Sequence, residues 1–153
     1  MGYKKKGATG GGTTADRFNK VITIDINNMH SPEKILVSLA HETGHALYKR
    51  PVDTSSRDAF INSMLRDEGA ATLKNIVVQR EIIANGGPDI GGAGSSKNIA
   101  AYNQIYDQWN TKEIAMKEAE EAIGRVYGKG EKTSNTHEPY EDYYGGWYDR
   151  NIK

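Results

Sequence analysis

The 153-residue chain contains no cysteine, which excludes disulfide bridges and every zinc site built on thiolates. It also lacks any run near the ~20 apolar residues that a membrane-spanning helix needs, so we expect no membrane span. Its 20 basic and 20 acidic residues balance, and this charge gives no general reason to expect a nucleic acid as partner. Any metal site must therefore use histidines and carboxylates.

The length of the chain suits a single domain with a real core. The Gly/Thr-rich residues 1–19 predict a flexible N-terminal segment, and residues 20–153 the domain itself. Alternating β-branched residues predict a strand over 21–26, whereas helical spacing predicts one long or two broken helices over 56–84 and further helix over 97–127. The pattern indicates an α+β, mostly helical fold with a small sheet next to the helix described below.

The stretch His41-Glu42-Thr43-Gly44-His45 carries the chemistry. Two histidines four residues apart point the same way from a helix, so both imidazoles can reach one metal ion. Glu42 lies about 100° round the helix from His41, where it can act as general base in the HExxH arrangement of zinc hydrolases. The alternative is a solvated helix face that carries two histidines and a helix-favouring glutamate.

Local signals place this motif inside a helix of ordinary length. Ser31 is a suitable N-cap, Pro32 fits the first helical position, and Pro51 ends the helix. Gly44 costs about 1 kcal/mol of helix propensity relative to alanine. We expect that this glycine gives a second element room to approach the metal.

A catalytic zinc site needs a third protein ligand, which here must be His30, His137 or a carboxylate. Glu68 lies on an apolar helical stripe that runs from Ile61 to Ile82. An unpaired buried carboxylate costs several kcal/mol, and zinc would compensate for it. Glu68 is therefore the predicted ligand, with His137 as second choice; a salt bridge from Glu68 to Arg57 is the structural alternative.

The spacing after the motif narrows the class of zinc peptidase. Tyr48 and Pro51 occupy the positions where metzincins carry glycine and a third histidine, which leaves the two-His, one-Glu gluzincins. Thermolysin-like gluzincins place an aspartate where this chain has Thr72. Asn75, one turn further on, is the candidate to orient a histidine ring instead, and Asp67 is expected to face solvent.

The tail from residue 133 to 153 is rich in aromatic residues. Zinc peptidases gain from a hydrogen-bond donor at the attacked carbonyl oxygen, and a tyrosine or histidine can supply it. Tyr144 and His137 are the candidates. The alternative is that the aromatic side chains only pack the tail onto the body of the domain.

Three segments together resemble the zinc metallopeptidase toxin domains at the C-terminal ends of type VI secretion spike (VgrG) and Rhs proteins. They are residues 41–46 (HETGHA), 67–75 (DEGAATLKN) and 79–82 (QREI), and the resemblance extends over residues 21–87. It implies a zincin-like fold, a bound zinc ion and delivery into a competing bacterium or host. A larger carrier polypeptide and a cognate immunity protein are the partners that follow.

Carried over by position, the resemblance implies that His41, His45 and Glu68 bind zinc and that Glu42 is the base. In zincins the strand before the motif helix often runs along the cleft, where an extended peptide can add as another strand. Residues 21–26 are expected in that role, again from the fold class.

We therefore expect a zinc metallopeptidase that hydrolyses amide bonds in a protein or peptide substrate, as a secreted effector toxin. The chain shows no signal peptide, so delivery into the target cell or its periplasm would need a carrier. Two alternatives stay open: a housekeeping or peptidoglycan amidase, cytoplasmic if it is not a toxin, and a non-catalytic binding module in which zinc only staples two helices.

Overall fold

The computed structural model describes residues 12–28 and 30–152 and has an α+β architecture dominated by helices. Strands β1 (Thr14–Asp16) and β2 (Val21–Thr23) precede a 3₁₀ turn (Ile26–Asn28) and the helices α1 (Pro32–Leu47), α2 (Arg57–Ala84), α3 (Ser96–Asn110), α4 (Met116–Gly130) and α5 (Tyr140–Asn151). None of the helices described is long and apolar enough to cross a membrane. The prediction of a mostly helical fold with a small sheet is confirmed.

The starts of the first two helices follow their capping residues. The Ser31 hydroxyl accepts a hydrogen bond from the Lys34 N–H, Pro32 is the first helical residue, and Ser56 caps α2 through the Ala59 N–H. Helix α2 runs unbroken for 28 residues, so the one-helix form of the prediction holds.

The predicted helix over 97–127 is interrupted, which corrects the sequence-based expectation. It forms α3 and α4, and the connection between them contains Lys112 with a left-handed φ of 65°. A non-glycine residue in that region ends a helix because the right-handed hydrogen-bond ladder cannot continue through it. The apolar spacing continues across the break and therefore conceals it.

The sheet is an antiparallel hairpin in which Ala15 pairs with Ile22. Strand β1 lies inside the segment 1–19 that was predicted to be flexible, and residues 1–11 of that segment lie outside the described residues. Strand β2 covers only the first half of the predicted strand 21–26. Pairing with β1 creates the strand here, and it stops where the chain turns into the 3₁₀ turn.

Helix α2 forms the centre of the domain, and its neighbours approach it very closely. A Cβ on Gly69 would lie 1.9 Å from the Glu120 carbonyl oxygen, and one on Gly124 would lie 2.3 Å from the Leu65 carbonyl oxygen. Helices α2 and α4 are therefore in backbone contact. The core beside them comprises Leu73, Ile76, Tyr102, Ala119, Ile123 and Tyr127.

Helix α1 crosses α2 at Gly44. A Cβ added there would lie 2.5 Å from the Ala71 Cα, far inside van der Waals contact. The glycine inside the histidine motif thus gives α2 the room expected from the sequence. This crossing brings His41 and His45 of α1 close to Glu68 of α2.

The aromatic tail packs α5 onto the start of α2. The Trp147 ring stacks on Phe60 with centroids 5.2 Å apart, and Tyr148 contacts the same ring at 5.6 Å. Packing is therefore the role of these two aromatic side chains. Tyr144 is buried in the same cluster but also reaches the site described next.

Candidate metal centre

The crossing of α1 and α2 brings together the three predicted ligands. The Glu68 Oε2 lies 3.5 Å from the His41 Nε2 and 3.4 Å from the His45 Nε2. One ligand atom from each residue lies within 4.8 Å of the other two, so this group can hold a metal ion. His41 and His45 come from one turn of α1, whereas Glu68 projects from the buried face of α2.

These separations match the distances between two ligand atoms around a small tetrahedral metal ion. Zinc binds histidine nitrogen and carboxylate oxygen at about 2.0–2.2 Å, so two tetrahedral ligand atoms lie roughly 3.3–3.6 Å apart. Both measured nitrogen–oxygen separations fall in that range. The Glu68 oxygen is therefore at a suitable distance from both histidines, and all three ligand atoms lie within 4.8 Å of one another.

Glu68 is buried and keeps its negative charge. Burial opposes that charge, but hydrogen bonds from His41 and His45 outweigh it and hold the pKa of Glu68 well below its usual value. Burial likewise opposes the charge on His45, yet its hydrogen bonds to Asp67 and Glu68 raise its pKa to about 10. A metal would have to displace that proton, because ligation requires a neutral imidazole.

Asp67 contacts the His45 ring, an interaction that was not predicted from the sequence. Its Oδ1 lies 2.8 Å from the His45 Nδ1, on the ring edge away from Glu68. Arg17 forms a salt bridge with Asp67 and also donates to the His45 carbonyl oxygen at 2.6 Å. The expectation that Asp67 faces solvent is wrong, since its side chain is only 13% exposed.

A signal for Asp67 was available in the chemistry of the site. Histidines that bind a metal almost always hydrogen-bond a carboxylate, a carbonyl or water through the other ring nitrogen. Asp67 is the carboxylate nearest to the predicted ligand Glu68 along the chain. Helical periodicity predicted that Asp67 lies on the solvent-exposed side of α2, but α1 packs against that side.

Asn75, the predicted orienting residue, has other partners. Its amide nitrogen donates to the Val37 carbonyl oxygen at 3.3 Å, and its oxygen accepts from the Ala93 N–H at 2.7 Å. Asn75 thus ties α1 and the loop before α3 to α2, and its predicted contact with a histidine ring is wrong. The buried Nδ1 of His41 has no hydrogen-bond partner among the residues described.

Glu42 is buried beside the three candidate ligands. Burial raises its pKa above the usual value, which the positive charges of His45 and His41 counteract in part. The backbone of Ala15 lies near the Glu42 carboxylate and also counteracts the rise in its pKa. Strand β1, which pairs with β2 along one edge, therefore lines the same cleft as Glu42.

A cleft of about 980 Å³ opens over the three ligands. Strand β1 and Asp25 line one part of it, and Tyr127, Tyr140 and Tyr144 line another. The strand along the cleft is thus β1; of the predicted strand 21–26, only Asp25 reaches the lining. This corrects the expected position of a substrate-binding strand.

The two candidate donors from the tail have different positions. Tyr144 lines the cleft, and its hydroxyl donates to the Glu68 Oε1 at 2.6 Å. Burial and the charge of Glu68 raise the pKa of Tyr144 well above its usual value. His137 is exposed in a left-handed turn and does not line the cleft, so its prediction as donor or fallback ligand is wrong.

Comparison of this chain with known protein families, with curated proteins and with solved structures finds no match. The resemblance to secreted zinc peptidase toxins remains a prediction from the sequence.

Proposed function

We propose that this protein is a zinc-dependent peptidase with a zincin-like fold. His41, His45 and Glu68 would bind the ion, and Glu42 would serve as general base. The observation that carries the proposal is the convergence of three ligand atoms beside a buried glutamate in an open cleft, with the Glu68 oxygen 3.4–3.5 Å from both histidine nitrogens.

The donor set favours zinc among the common metals. Two imidazoles and one carboxylate match catalytic zinc sites, in which the fourth position is left for water. Magnesium and calcium prefer sites made of oxygen atoms alone. When bound, zinc would activate a water molecule and polarise the carbonyl of an amide.

Glu42 has the environment of a general base. It would take a proton from the attacking water and pass it to the leaving amine. The burial that raises its pKa brings it closer to the pH at which it must accept and release that proton. Ala15 of β1 and Glu42 both line the cleft, so the carboxylate faces the space that a substrate would occupy.

The outer edge of β1 favours an extended peptide as substrate. Strand β1 pairs with β2 through one edge and lines the same cleft as Glu42. An extended chain can add to the outer edge by main-chain hydrogen bonds, which would lay its amide groups across the site. Protein or peptide is thus the proposed substrate class.

The deciding experiment compares Glu42→Gln with Glu81→Gln, an exposed position on α2. Loss of a general base lowers the rate by about 10²–10⁴-fold. We expect Glu42→Gln to bind one zinc per chain but to lose hydrolysis of a denatured protein substrate, and Glu81→Gln to behave like the wild type. Wild-type activity in Glu42→Gln would refute the peptidase proposal and leave a zinc-stapled binding module.

We further propose that the enzyme is an effector toxin delivered into a target cell, on the strength of the resemblance in residues 41–46, 67–75 and 79–82. The toxin would arrive on a larger carrier, and an immunity protein would block the cleft. Expression in the cytoplasm and in the periplasm of a bacterium tests this. Growth arrest that depends on Glu42 supports a toxin; harmless expression in both compartments contradicts it and leaves a housekeeping amidase.

A further inference from the structure

The two oxygens of Glu68 have different partners. Oε1 accepts a hydrogen bond of 2.6 Å from the Tyr144 hydroxyl, which projects from α5. Oε2 faces the Nε2 atoms of His41 and His45 at 3.5 and 3.4 Å. One oxygen therefore points into the ligand group, and the other points to the phenol.

The contact with Tyr144 is strong and well shielded. Hydrogen bonds to an ionised acceptor are shorter and roughly twice as strong as those between neutral groups. Both side chains are buried, with Glu68 7% and Tyr144 8% exposed, so water competes little for either of them. The rings of Tyr140 and Tyr143 contact Tyr144 with centroids 5.8 and 5.6 Å away and hold it in place.

We propose that Tyr144 is a positioning residue that keeps Glu68 a one-oxygen ligand. Because its hydroxyl occupies Oε1, two-oxygen binding of a metal would have to break this hydrogen bond. Coordination through Oε2 alone leaves the open side of the site to water and to the substrate carbonyl. The inference rests on the metal site of the proposed function but not on the activity of Glu42.

Cobalt substitution tests this directly, because the visible absorption of Co²⁺ weakens as its coordination number rises. The test variant is Tyr144→Phe, which removes only the hydroxyl. The matched control is Tyr143→Phe, since the Tyr143 hydroxyl makes no hydrogen bond within the described part of the chain. We expect the wild-type spectrum in Tyr143→Phe and a weaker band in Tyr144→Phe as Oε1 joins the metal. An unchanged spectrum in Tyr144→Phe overturns the inference.

A second measurement covers the case in which Tyr144→Phe fails to fold or to bind cobalt. A crystal structure of the zinc-loaded wild-type protein shows how many Glu68 oxygens lie at bonding distance from the ion. One oxygen agrees with the role of Tyr144, and two oxygens overturn it. If the wild-type protein binds no metal, both this inference and the proposed function fail; if Glu42→Gln loses activity as expected while the Tyr144→Phe spectrum is unchanged, only this inference fails.

Discussion

Replacement of Gly44 by alanine tests whether the close approach of α1 and α2 assembles the metal centre. The new Cβ would lie 2.5 Å from the Ala71 Cα and 3.1 Å from the Lys74 Cβ. The nearest of these atoms, the Ala71 Cα, belongs to the backbone and cannot swing away, and the position of the new Cβ is fixed by the backbone of α1. The two helices must move apart, or α1 must rotate.

The size of the effect follows from these distances. Non-bonded carbons rest about 3.5–4.0 Å apart, so the gap must widen by roughly 1 Å. Overpacking of this kind costs about 1–3 kcal/mol, against a gain of about 1 kcal/mol in helix propensity, which leaves a net loss of about 0–2 kcal/mol. The same 1 Å would stretch the separations of Glu68 from the histidines to roughly 4.5 Å, too far for one ion to bind all three atoms at metal–ligand distances that vary by only about ±0.2 Å.

The prediction is therefore a small loss of stability and a large loss of zinc affinity. Urea unfolding with a chelator present measures the first, and competition with a chromophoric chelator measures the second. The control is Ala46→Gly, an exposed position in the same helix that should lose about 1 kcal/mol of stability and keep its zinc affinity. Wild-type zinc affinity in Gly44→Ala would refute the reasoning that the helix crossing sets the ligand geometry.

Three further perturbations separate the parts of the site. Asp67→Ala should weaken zinc binding by about 10–100-fold in the chelator assay, because His45 loses its orienting carboxylate, while Asp58→Ala on the exposed first turn of α2 should not. Zinc at 100 times its dissociation constant should stabilise the wild-type protein by about 2.7 kcal/mol in thermal unfolding, and an equal gain in His41→Ala would contradict the ligand assignment. Glu131→Gln should lower the free energy of unfolding by about 1–3 kcal/mol in urea, because the buried Glu131 carboxylate accepts hydrogen bonds from Ser95, Asn98 and Tyr102 in and before α3. A fall in zinc affinity as large as that of Asp67→Ala would contradict a purely structural role for Glu131.

The helices that carry the candidate ligands could be predicted from the sequence because their signals are local. Ser31 and Ser56 cap their helices through N–H groups only three residues later in the chain. The apolar stripe of α2 is also local, and it predicted that Glu68 is a buried acid. The spacing of His41 and His45 likewise acts within one helical turn. Capping and periodicity act over a few residues, so one sequence is enough to detect them.

Partners from different elements could not be predicted in this way. Whether Asp67 or Asn75 contacts a histidine depends on the angle at which α1 crosses α2. The periodicity of either helix does not determine that angle. Strand β1 was missed because its short segment becomes a strand only by pairing with β2. His137 seemed available to the site because nothing local shows on which side of the domain an exposed turn lies.

Local sequence signals were thus enough to predict the ligand-bearing helices, the spacing of the two histidines and the burial of Glu68, since all three depend on neighbours within a few turns. Only the tertiary structure decided that Asp67 orients His45, that β1 lines the cleft and that Tyr144 contacts Glu68. These contacts join residues up to 76 positions apart. The contact between Asp67 and His45, for example, depends on the close approach of α1 and α2 at Gly44.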